Sequence, residues 1–170
     1  MAWRYDLGHS RIGFIVRHFG LTIVHGYFPK ADVQLDYHVD DPTKSTMDVT
    51  IDAASMTTGN ERRDNNTIHE PEYLDADRYP TITFTSTRVE PRGENRYAIV
   101  GDFTLRGVTR EIVLDTTYAG EATDARGTKV RGLAARTSIN KSDYGITGNV
   151  IENNVGEMIE LEIDVELRDP

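Results

Sequence analysis

The feature that most constrains this chain is strict period-two alternation of apolar and polar residues, which returns many times between residue 11 and the end. Successive side chains of an extended strand point to opposite sides, so such alternation marks strands with one buried and one wet face. The last stretch, MIELEIDVEL, sets Ile159, Leu161, Ile163, Val165 and Leu167 against Glu160, Glu162, Asp164 and Glu166 without a break. Residues 11 to 18 place Ile12, Phe14, Val16 and His18 on one face, with Arg11, Gly13, Ile15 and Arg17 on the other. Met47, Val49, Ile51 and Ala53 alternate with Thr46, Asp48, Thr50 and Asp52. The same grammar covers Ile82 and Phe84; Tyr97, Ile99 and Phe103 after a turn at Pro91 to Gly93; Ile112 and Leu114; and Leu133, Ala135, Thr137 and Ile139.

Between residues 23 and 39 the apolar parity changes across Pro29, where an edge position or bulge would re-aim the side chains, since proline cannot donate to a ladder. About eight strands joined by short Gly, Pro, Asn or Asp turns, with no helix long enough for crossover connections, predict an all-β antiparallel barrel or sandwich. Residues 55–80 are the exception. They are polar and charged around Arg62, Arg63 and Asp64, punctuated by Pro71 and Pro80, and read as an insertion with about two turns of helix that caps one end. At 170 residues, with no repeat or linker, residues 1–170 are expected to form one domain.

The absence of cysteine excludes disulfides, thiolate metal sites and cysteine nucleophiles. A formal charge of -9 sets a field that repels phosphate backbones and anionic surfaces, so nucleic acid is not an expected partner. No apolar run reaches the roughly 18 residues of a membrane helix. The opening MAWRYDLGHS has no apolar h-region, which makes cytoplasmic residence the default expectation, with periplasmic or extracellular residence if a leader has been removed.

Catalytic constellations are sparse. His9, His18 and His25 fall in or beside the first two strands, where a hairpin can bring them together, but there is no H-x-H, no H-E-x-x-H and no carboxylate at a fixed offset. No metal and no cofactor are expected. Ser10 and His9 are neighbours on a strand and point apart, and neither a G-x-S-x-G elbow nor a phosphate-binding glycine loop occurs. Acidic residues alternate outward as a solvated face does. What remains is the interior: a closed barrel of about eight strands is either filled by side chains or holds one small ligand. Phe14, Phe28, Phe84 and Phe103 mixed with Gly26, Gly101 and Ala135 are compatible with an elongated slot or with simple packing. The residues expected to contact a ligand there are Ile12, Phe14, Val16, His18, Val24, Phe28, Met47, Val49, Ile51, Ile82, Phe84, Ile99, Phe103, Ile112, Leu114, Ile139 and Ile163.

Four blocks of residues resemble the YceI-like proteins, bacterial polyisoprenoid-binding proteins with a lipocalin-like barrel. The first runs through Tyr5, Asp6, His9, Ser10, Ile12, Phe14, Val16, His18, Gly20, Val24, Gly26 and Phe28. The second joins Tyr73, Asp75, Tyr79, Pro80, Ile82, Phe84 and Ser86; the third is GDFTLRGVTREIVL from Gly101 to Leu114; the fourth is Ser142, Asp143, Tyr144 and Gly145. The chain departs from the family where members commonly carry His-Leu after an Arg-Asp pair, reading Arg63, Asp64, Asn65, Asn66, Thr67, Ile68 instead. The resemblance implies an eight-stranded antiparallel lipocalin-like barrel that binds a long-chain amphiphile, a polyisoprenoid, isoprenoid quinone or fatty-acid-like lipid, for transport or storage without turnover. It also implies a homodimer. His18, His9 and the arginines of the capping segment are the candidates for orienting a headgroup. Two rival readings stand beside this one: an enzyme using His9, His18 or His25 on a lipophilic substrate in the same cavity, and a filled-barrel interaction module.

Overall fold

Closure of the sheet is what makes a lumen. The computed structural model describes residues 2–148 and 157–170. Ten strand segments run antiparallel: β1 (Ala2–Tyr5), β2 (Arg11–His18), β3 (Thr22–Tyr27), β4 (Ala31–Asp36), β5 (Thr46–Asp52), β6 (Thr81–Gly93), β7 (Arg96–Leu105), β8 (Val108–Thr123), β9 (Lys129–Asn140) and β10 (Met158–Arg168). Their order is β1-β4-β5-β6-β7-β8-β9-β10-β2-β3, and β1 returns to pair with β10. Both β1, through Tyr5 opposite Leu167, and β2, through Ile12 opposite Ile163, lie along β10, so they are two halves of one interrupted stave. β3 and β4 are the halves of a second, since β3 pairs with β2 and β4 with β1. Ten segments therefore make eight staves, the closed eight-stranded antiparallel barrel that the pattern and the resemblance imply.

Each interruption has a local cause. Between β1 and β2 the Asp6 carboxylate accepts the Gly8 backbone N–H at 2.9 Å and caps a short 3-10 turn at Leu7–His9. Between β3 and β4 stands Pro29, and across it the lumen-facing set passes from Val24 and Phe28 to Val33 and Leu35, the change of parity seen in the sequence. One expectation fails in detail. The turn placed at Pro91 to Gly93 lies further on, because β6 continues through Pro91, opposite Tyr97, and absorbs the proline at a register irregularity before Gly93.

The insertion holds the single α-helix among the described residues, α1 (Glu61–His69), about two and a half turns long. Asn60 starts it by accepting the Arg63 backbone N–H at 3.0 Å, and Pro71 follows soon after its end. The buried Ile68 and Ala76 join this segment to the core cluster that contains Ile51, Ile82, Phe103 and Ile139.

Candidate functional site

One end of the barrel is shut. Trp3, Leu35, Val165 and Leu167 pack together there, and the Arg131 guanidinium lies 4.0 Å from the Trp3 ring centroid and 5.3 Å from that of Tyr37. Glu121 pairs with Arg131, so this buried cation has both an opposite charge and aromatic faces, although its Nη1 has no hydrogen-bond partner among the described residues. From that layer a cavity of about 380 Å³ runs up the barrel axis.

All seventeen residues nominated from the sequence line this one cavity: Ile12, Phe14, Val16, His18, Val24, Phe28, Met47, Val49, Ile51, Ile82, Phe84, Ile99, Phe103, Ile112, Leu114, Ile139 and Ile163. Two glycines keep the space clear by letting aromatic rings lie against the wall. A Cβ on Gly26 would stand 2.2 Å from Cζ of Phe14, and one on Gly101 would stand 2.6 Å from Cζ of Phe84 and 2.4 Å from the Thr85 carbonyl oxygen.

The exposed lining residues are Arg17, His18, Phe19 and Arg63, which puts the mouth between the β2–β3 hairpin tip and α1. Polar groups gather at the same end: Thr58, Arg63 and Thr67 from the capping segment, and Lys141 from the 3-10 turn that follows β9. No carboxylate lines the cavity among the described residues. Lys141 is buried, and its Nζ donates to the Gly148 carbonyl at 3.0 Å. Burial pushes its pKa down, and the nearby Glu157 offsets only part of that.

Arg63 is aimed by a relay. Its Nε donates to the Thr58 hydroxyl at 2.8 Å; that hydroxyl donates in turn to the buried Asp64, which also accepts from the Thr57 hydroxyl and the Thr58 backbone N–H. Burial works to raise the Asp64 pKa, but the hydrogen bonds from Thr58 and Thr57 outweigh it and hold the carboxyl below its usual value. The cap is fastened to the barrel by Arg106 in the β7–β8 turn, which donates to the Tyr73 and Tyr144 carbonyls and lies 5.7 Å from the Tyr79 ring centroid. Arg106 and its following Gly107 both have positive φ, 52° and 71°, so the tight turn holds the guanidinium under the cap.

Sequence reasoning missed the polar Lys141, Thr58 and Thr67 and several apolar lining residues, among them Val33, Leu35, Leu105, Leu133, Ile159 and Leu161. Leu161 shares the alternation of Ile163 and was available from it. Lys141 lies beyond the end of β9, where the pattern stops, and carries no signal of its own.

The hairpin does not gather the histidines. His18 lines the mouth, His25 is exposed opposite Ile15, and His9 lies near the closed end beside Asp6 and Glu166. That last grouping corrects the expectation of no carboxylate near a histidine: ligand-type atoms of Asp6, His9 and Glu166 lie within 4.8 Å of one another. It already holds a cation, because Arg168 donates to both carboxylates. This pairing draws the Asp6 pKa down to about 2, with the His9 hydrogen bond second in effect.

Comparison with known proteins agrees with this architecture. The BcnA crystal structure from Burkholderia cenocepacia superposes with a TM-score of 0.84 at 19% identity, covering 95% of this chain and 98% of that one. A polyisoprenoid binding domain from Saccharophagus degradans, implicated in plant cell wall breakdown, gives a TM-score of 0.71 at 15% identity over 99% of this chain and 98% of that one. A UPF0312 protein of Pseudomonas savastanoi pv. phaseolicola is 34% identical over 140 residues, 82% of this chain and 72% of its own. The family model described as a YceI-like domain matches residues 3–167. From its closed lumen to its motif blocks, this chain belongs to the YceI-like family.

Proposed function

We propose that the barrel binds a long-chain apolar lipid, of the polyisoprenoid, isoprenoid-quinone or fatty-acid kind, and carries or stores it without chemical turnover. The observation that carries this reading is the hole itself. Engineered cavities cost about 24 cal/mol per Å³, so keeping 380 Å³ of apolar space open forgoes on the order of 9 kcal/mol, comparable to the whole stability of an ordinary domain. A lipid tail relieves that cost. Burying about a dozen methylene groups yields roughly 10 kcal/mol gross, enough to bind after ordering losses. The volume lies within the range of about 300 to 1,000 Å³ typical of ligand pockets, and it speaks against a barrel plugged by its own residues.

The headgroup end supplies donors. Lys141, Arg63 and Arg17 present N–H groups at the mouth with no lining carboxylate among the described residues, which suits a headgroup that accepts hydrogen bonds, such as a quinone carbonyl, a carboxylate or a phosphate. The enzyme reading has less support, since His18 is the one lining histidine among the described residues and its recorded neighbour there is the Phe19 ring, at 4.1 Å. The Saccharophagus domain is described as polyisoprenoid binding, which supports a lipid ligand here.

Native mass spectrometry of protein purified from its own host tests this. The expected result is a bound lipid whose removal by organic solvent opens the cavity to an apolar fluorescent probe that isoprenoid chains displace. Protein that carries no lipid, takes up no probe and loses none to isoprenoids refutes it.

A further inference from the structure

We propose that the β2–β3 hairpin tip is a membrane-docking element that seats the cavity mouth on a bilayer containing anionic lipid. This goes beyond binding a lipid: it says where the lipid is exchanged. The tip is apolar and exposed. Leu21 is 82% exposed, Phe19 56% and Ile23 48%, among the largest exposures of any big apolar side chain described. All three sit at the rim, since Arg17, His18 and Phe19 of the same turn line the cavity.

The turn's backbone gives a second, independent reason. The Leu21 N–H donates to the His18 carbonyl at 2.9 Å, and Phe19 and Gly20 have φ of 52° and 68°. Such a turn asks for Asn or Asp followed by Gly. Gly20 fits, but Phe19 is a bulky side chain held in the left-handed region, where crowding of Cβ disfavours it. A strained aromatic residue kept at an exposed position does not serve the fold. It does serve a surface that takes the ring out of water.

Charge points the same way. From Arg11 to Tyr27 the hairpin carries Arg11, Arg17, His18 and His25 and no acidic residue, while the carboxylates of β10, Glu160, Glu162 and Asp164, run along β2 opposite Ile15, Gly13 and Arg11, away from the tip. At the mouth itself the charged lining groups are cations: Arg17 and Arg63 are exposed there, Lys141 lies behind them and no carboxylate lines the cavity among the described residues, so an anionic headgroup layer meets positive charge at this end. At the tip, Arg17, two residues before Phe19, pairs across the hairpin with the exposed Ile23. Cations beside aromatic and aliphatic side chains suit the headgroup boundary of a membrane. Three protruding side chains are too few for a stable protein interface, which needs about 800 Å² from each partner, but they are enough to dip into a lipid surface.

The test is vesicle flotation of the full chain, with phosphatidylcholine vesicles and with vesicles that also contain about one third phosphatidylglycerol. Binding to the anionic vesicles, weaker on phosphatidylcholine alone, is the expected result. Leu21→Glu should lower the bound fraction at least about tenfold while leaving probe uptake by the cavity unchanged, because Leu21 does not line it. Phe19→Asn should also lower vesicle binding, yet raise or preserve the thermal midpoint, because Asn suits positive φ. Wild-type protein that ignores both vesicle types overturns the proposal, as do variants that bind like wild type. A dimer that Leu21→Glu converts to monomer overturns it too, in favour of a self-association surface. Probe uptake reads the lumen separately, so failure at the membrane is distinguishable from failure of lipid binding.

Discussion

The same substitution, glycine to alanine, should have opposite consequences at two positions of the barrel wall. At Gly26 the added methyl would stand 2.2 Å from Cζ of Phe14, where relaxed carbon contacts lie at about 3.5–4.0 Å, so the ring tip must swing by about 1.5 Å. It has somewhere to go, since the lumen lies beside it. An off-rotamer ring costs about 1 kcal/mol, and the stiffer unfolded chain returns about 0.4–1 kcal/mol. Stability should therefore hardly move. The cavity loses the space the ring enters, and if that excludes one or two methylene groups of the ligand, affinity falls about 4- to 15-fold. At Gly101 the methyl meets the Thr85 carbonyl oxygen at 2.4 Å, a backbone atom next to the irregularity between Ser86 and Arg88. Here β6 and β7 must separate, which costs about 3 kcal/mol and lowers the midpoint by about 6–12 °C in a chain of this size. Thermal unfolding by circular dichroism and titration with an apolar probe read the two effects separately. If Gly26→Ala is the one that melts early while Gly101→Ala stays within 1 kcal/mol of wild type, the account of which neighbour can yield is wrong.

Asp6→Asn should destabilise the seam between β1 and β10. The folded carboxyl titrates at about 2, chiefly because Arg168 donates to it and then because His9 does; its contribution is therefore complete above its unfolded value of about 3.9 and is lost as pH falls toward 2. Allowing for solvent screening, urea unfolding should show a difference of about 1 kcal/mol at pH 7 that shrinks at pH 2.5. Lys141→Met should leave the ligand-free protein as stable at neutral pH, or more so, while weakening retention of lipids with acceptor headgroups. Because burial lowers the folded Lys141 pKa, the penalty it imposes is present below that value and fades as pH rises through it, so the variant's advantage in unfolding experiments should shrink in alkali. Arg106→Met removes two charge-assisted hydrogen bonds to carbonyls and should cost about 3 kcal/mol, with faster amide exchange in residues 72–79 and faster ligand release.

What the sequence reveals and conceals follows from how each part of the barrel is specified. A wall stave is written in its own residues: Ile12, Phe14 and Val16 face inward because pleating sends every second side chain that way, and burial demands they be apolar. That is why every nominated lining residue reaches the lumen. Even the broken stave was visible, as the shift of parity at Pro29. The mouth is written differently. Lys141 faces inward only because β9 ends, a 3-10 turn begins and the Lys141 backbone N–H is tied to the Glu157 carbonyl just ahead of β10, a relation between segments that no local period encodes. Arg63 depends likewise on Asp64 and Thr58 holding one loop, and the cap on Arg106 reaching carbonyls more than 30 residues away. The family motifs bridge this gap because several of their residues meet at that joint: Tyr73 and Tyr79 of the second block, Arg106 of the third and Tyr144 of the fourth. Their pattern records not the ligand but the fastening of the lid above it. The His-Leu pair missing from the helix of that same lid falls at Asn65–Asn66, both exposed, so the departure alters the outer surface of α1 and leaves the buried Asp64 that aims Arg63 in place.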